Sequence, residues 1–94
     1  MAHAAVVRVR IEPRSDAEHR RAVLQDLVVP GVRALPGFVR GTWLNDDQGT
    51  GTCVLVFDHE DGARAGLELL TREGGPPVLD ASLCAVELET ERAS

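Results

Sequence analysis

Leu35-Pro36-Gly37-Phe38-Val39-Arg40-Gly41-Thr42-Trp43-Leu44, followed by Cys53-Val54-Leu55-Val56-Phe57-Asp58 and then a short Ala-rich segment, is the stretch that decides the fold. The Pro-Gly pair stands between a helical hydrophobic pattern and an alternating one. It forces an abrupt helix stop, since proline supplies no N–H and glycine accepts the left-handed conformation that ends helices. Phe38 then enters the core as a strand begins.

Upstream, residues 5–11 read as the first strand, because Val7, Val9 and Ile11 alternate with Arg8, Arg10 and Glu12. Pro13 ends it, and Ser15 with Glu18 forms the Ser-x-x-Glu pattern that opens a helix. Val23, Leu24, Leu27, Val28 and Leu35 share one helical face, with Arg20, Arg21, Gln25 and Asp26 largely on the other, so that face is expected to pack on a sheet. Pro30-Gly31 interrupts the pattern and predicts a kink or a restart.

Downstream, residues 38–44 and 52–57 read as strands joined by the polar connector 45–50, a hairpin. Asp58 and Asp61 are candidate N-caps for a second helix, whose Ala63, Gly66, Leu67 and Leu70 follow the one-face spacing while Arg64, Glu68 and Arg72 take the solvent side. A Gly/Pro loop at 71–77 leads to a fourth strand at 82–89, and 90–94 reads as a frayed tail. The order βαββαβ in one domain spanning residues 1–94 is the ferredoxin-like α+β arrangement: two helices on one face of an antiparallel sheet, with the other face open. If the last strand lies beside the first, Arg8 and Arg10 share the open face with Glu87 and Glu89, together with Val54, Val56 and Leu83.

Composition sets bounds on function. The net charge of -5, with arginines dispersed among acidic residues, gives no basic footprint for nucleic acid. No apolar run approaches the roughly 20 residues needed to cross a bilayer, and no signal segment opens the chain, so a cytoplasmic protein without a membrane partner is expected. All ten basic residues are arginine, which excludes lysine Schiff-base chemistry, and tyrosine is absent. Only Phe38, Phe57 and Trp43 are aromatic. A single core in 94 residues removes only about 60% of the unfolded surface, which makes help from a second copy plausible.

Few residues carry candidate chemistry. Cys53 and Cys84 fall on strands that both flank the first, too far apart to bridge, and read as free thiols buried on the helix side. His3, His19 and His59 lack metal-ligand spacing, so neither a metal nor a cofactor is expected; His3 and His59 are placed at opposite ends of neighbouring parallel strands. The run Asp58-His59-Glu60-Asp61 reads as an acid/base cluster or, more simply, as a helix start. Trp43 either fills core or walls a pocket while its indole N–H still reaches water. Arg8, Arg10 and Arg40 fall together above the open face, where they bind an anionic or enolate ligand or are satisfied by Glu87, Glu89 and Asp58.

The Leu35–Leu44 pattern, the Cys53–Asp58 strand and the helix after it together resemble the antibiotic biosynthesis monooxygenase-like family of dimeric α+β barrels. The resemblance implies a homodimer in which the open faces of two sheets close around an interior space. It also implies cofactor-independent oxygenase chemistry on a small acidic, aromatic or quinol-type molecule, in a dry cavity where the substrate's own enolate or phenolate meets oxygen. Arg8, Arg10, Arg40, Trp43 and His59 are the ligand-binding candidates. The family's polyketide oxygenases use tyrosine, which this chain lacks, and its haem-degrading branch uses a strand asparagine and a helical histidine, whereas Asn45 lies in the hairpin turn and His59 precedes its helix. Neither catalytic set carries over. The alternative is a noncatalytic dimeric module that binds a small ligand or serves structure.

Overall fold

The computed structural model describes residues 1–12, 16–72 and 74–92. β1 (His3–Arg10) leads to a helical rod built of α1 (Ala17–Val23), a π-helical segment (Leu24–Val28) and α2 (Val29–Arg33). β2 (Phe38–Asn45) and β3 (Thr50–Phe57) form the hairpin, α3 (Glu60–Leu70) follows, and β4 (Val78–Ala85) closes the sheet. Strand order is β2-β3-β1-β4, antiparallel at every pairing, which is the ferredoxin-like α+β fold. No helix is long and apolar enough to cross a membrane.

The helix stop at Pro36-Gly37 is a tight turn. Gly37 takes φ 77°, and the Phe38 N–H donates to the Leu35 carbonyl at 3.3 Å, the geometry of a type II turn with proline second and glycine third. Phe38 emerges edge-on to Phe57, with ring centroids 5.6 Å apart. Phe57, Leu55, Ala5 and Cys53 form the sheet side of the core, and Val32 and Ala63 the helix side. α3 buries its small face, Gly62, Ala63 and Gly66, directly on this cluster.

Pro30 marks a restart of the helical rod, as the sequence predicts. Its ring would crowd the carbonyl four residues back in a regular α-helix. The turn ahead of it widens instead, so that the Val29 N–H donates to Leu24, five residues back, and Pro30 sits at the start of α2, where its missing N–H costs little. The expected apolar face reaches the core at Val28 and Val32, and only Val32 is fully buried there. Val32 is fully buried, whereas α1 and the π-helical segment bury no residue and Leu27 is 73% exposed.

Several expectations are corrected. β4 lies at 78–85 rather than 82–89, so Arg8 faces Asp80 across the strands, and Glu87 and Glu89 lie beyond the sheet. Leu83 opposite Ala5 belongs to the helix side, while Cys84 opposite Ala4 is exposed on the open face. β1 and β3 are antiparallel with His3 opposite Phe57, which brings His3 and His59 to the same end of the sheet. Asp16 caps α1 by accepting from the Glu18 N–H at 3.0 Å; the Ser15 half of the expected capping pattern lies outside the described residues. α3 is capped by His59, whose Nδ1 accepts from the Gly62 N–H at 3.1 Å, not by Asp58 or Asp61.

Candidate functional site

The rod meets the core at Val28 and Val32 but leaves space between itself and the sheet. A chamber of about 340 Å³ has Val7, Val9, Trp43 and Cys53 as its floor and Leu24, Leu27, Val28 and Gly31 as its roof. Leu69, Leu70 and Arg72 from the end of α3, with Gly75 and Pro76, close one side. A larger, more open space of about 830 Å³ shares Val9, Leu24, Val28, Trp43, Cys53 and Pro76 with it and extends past Arg10, Glu12, His19, Arg20, Arg21, Asn45 and Asp47. Both volumes fall in the range of small-molecule sites.

Trp43 is where the two spaces meet, and a local sequence feature places it. A Cβ at Gly41 would sit 3.0 Å from the indole Cζ3 and 3.0 Å from Leu55 Cδ2, so the missing side chain lets the ring lie back along β2 against the core. Trp43 is half-buried and packs on the core cluster while lining both spaces. Beside it, burial pushes the Cys53 thiol up to about 12, which keeps it protonated and makes it a small apolar surface. Cys53 and Cys84 are both free. Among the described residues no group of His, Cys, Asp or Glu is assembled for a metal ion.

The three arginines expected to converge do not. Arg40 faces Val56, which faces Ala4, whereas Arg8 lies four positions further along β1 and Arg10 six. At about 3.3 Å per residue and 4.8 Å per strand, Arg40 and Arg8 are roughly 16 Å apart along the sheet. Arg40 is held by Glu89 at 3.2 Å and Glu91 at 3.8 Å, so the ion-pair reading is right for Arg40 and the partner is one of those expected. Because β2 and β4 are opposite edges, the chain after β4 must cross the open face to make this contact, beginning where the Val86 N–H donates to the Ala2 carbonyl. Of the candidates, Trp43 lines both spaces and Arg10 the larger one; Arg8 and Arg40 stand on the opposite face. His59 is engaged as a helix cap against Gly37. Arg72 is exposed, as its solvent-side placement predicts, and also borders the smaller space; the place of Cys53 on the floor of that space was not foreseen.

With this geometry, the comparisons with known proteins agree on the fold. A mutant of SnoaB, a cofactor-independent oxygenase from Streptomyces nogalater, superposes with a TM-score of 0.67 at 16% identity, covering 97% of this chain and 98% of that one. A monooxygenase from the gene ActVA-Orf6 of Streptomyces coelicolor, solved with the ligand nanaomycin D, gives 0.65 at 17% identity over 98% and 93% of the chains. A dimeric ferredoxin-like protein from an uncultured marine organism gives 0.60 at 12% identity over 98% and 100%. No family model matches the sequence, and no curated protein does. The chain thus shares the ferredoxin-like α+β fold of the antibiotic-biosynthesis type of monooxygenase, as its sequence pattern suggested.

Proposed function

We propose that this protein is a homodimer that binds a small acidic or quinol-type molecule between its helical rod and its sheet, and oxidises it without a cofactor. The observation that carries the reading is the apolar chamber with Trp43 as its flat wall and a guanidinium, Arg72, at one side. The space between two sheets is not needed for it. In such a site the protein supplies dryness and a counter-charge. An activated CH2 group of the ligand, as its enolate, forms a C–O bond to oxygen, and loss of water from the hydroperoxide leaves a carbonyl. The ligand supplies all the electrons, one oxygen atom stays and the other leaves as water.

Dimerisation is supported by the likeness to a dimeric ferredoxin-like protein and by the partly exposed Val6 and Val54 on the open face. Two free thiols suit a cytoplasmic setting. A second reading, a noncatalytic binding protein, is favoured by one observation: among the described residues the smaller chamber offers no carboxylate or imidazole as a base, and its thiol is held protonated. Oxygen uptake on mixing with anthrone and quinol substrates separates the two. Uptake that stops when Leu24→Trp fills the chamber supports oxygenase chemistry; calorimetric binding of the same compounds without uptake supports the binding protein.

A further inference from the structure

Among the described residues the smaller chamber carries one formal charge. Apart from Arg72, each described group on its wall is apolar, a glycine, a proline or the Cys53 thiol. Arg72 is exposed and lies just past the Thr71 cap that ends α3, and among the described residues no carboxylate is ion-paired with it. The larger space differs in kind: there Arg10, Arg20 and Arg21 are mixed with Glu12 and Asp47, so a single negative charge meets attraction and repulsion together. Beside the smaller chamber a single negative charge has one cationic partner and, among the described lining residues, no competing carboxylate.

We propose that Arg72 reads the anion of the ligand, and that the smaller chamber therefore selects a monoanion with one apolar body, its carboxylate, enolate or phenolate oxygen at the α3 side and its body between Leu27, Leu24 and Trp43. This rests on the chamber being the binding site. It assigns recognition to the guanidinium that bounds the apolar space rather than to Arg8, Arg10 or Arg40. A dianion or a zwitterion leaves a second charge against Leu24 and Val28 with no partner, which is costly in an apolar chamber.

The test is calorimetric titration of the full chain with 1-naphthoate and with its neutral counterpart, 1-naphthalenemethanol. A charge-assisted hydrogen bond from a guanidinium should make the anion bind about tenfold more tightly or better. Arg72→Gln should bring naphthoate down to the affinity of the alcohol and leave the alcohol unchanged, which also reports that the variant is folded. Arg72→Lys should retain part of the preference, and Arg10→Gln should retain all of it. Equal binding of both probes to the unaltered protein, or a preference that survives Arg72→Gln, overturns the inference while the chamber stands. If neither probe binds, the chamber reading and the inference fall together.

Discussion

Gly62 and Gly66 let α3 lie directly on the core: a Cβ at Gly62 would sit 2.7 Å from the Pro36 carbonyl oxygen, and one at Gly66 2.8 Å from the Phe57 ring. Neither neighbour has room to retreat. Gly62→Ala and Gly66→Ala should each destabilise by about 1–3 kcal/mol, whereas Gly31→Ala, whose Cβ meets only Leu69 at 3.6 Å, should stabilise by about 0.5 kcal/mol. Urea midpoints decide both signs. The two thiols make a second contrast. At pH 8 iodoacetamide should label exposed Cys84 and spare Cys53 in the native protein, read by peptide mass, because burial holds the Cys53 thiol up at about 12. Asp46 titrates the other way. Its carboxylate accepts the N–H of Gln48 at 2.7 Å and of Thr50 at 3.0 Å, and these bonds hold it below its ordinary range. A depressed folded-state value gives stability that is present above the unfolded value and lost as pH falls through the folded one. Asp46→Asn should therefore flatten the urea midpoint between about pH 5 and pH 2.

Among the elements, those written in local chemistry were legible. Leu35-Pro36-Gly37-Phe38 has only one good turn to make, and Phe38 has only one apolar neighbourhood to enter. The β2-β3 hairpin followed from alternation on both sides of a polar connector. β4 was misplaced because residues 79–83 and 86–89 alternate in opposite phase, and Glu87 and Glu89 drew the polar face onto the odd positions when Leu83 in fact faces Ala5. The α3 cap was missed for a different reason: asparagine, aspartate and serine are the usual caps, so the histidine between two aspartates was passed over. His59→Ala should cost about 1 kcal/mol, and His59→Asn should recover most of it, in thermal melts followed by circular dichroism. The chamber could not be read at all. It exists because the helical rod closes only partly on the sheet, and periodicity records which face is apolar, not how closely that face arrives.

At the scale of the molecule, the open face and the chamber are separate surfaces, one on each side of the same sheet. Assembly and ligand binding are thus open to independent disruption. Val54→Glu, which places a carboxylate mid-face beside Val6, should abolish the proposed dimer in sedimentation velocity runs while leaving naphthoate binding intact. The π-helical segment has a consequence of another sort. Such a turn holds one residue more than its α-helical equivalent and is what a single inserted residue leaves behind in a helix. Deleting Asp26, which lines neither space, should restore a regular helix and rotate Leu24, already part of the chamber's roof, by about 100° relative to Val32, so that naphthoate binding is lost. The gain or loss of one codon would then separate a liganded lineage of this fold from an inert one, with the sheet unaltered.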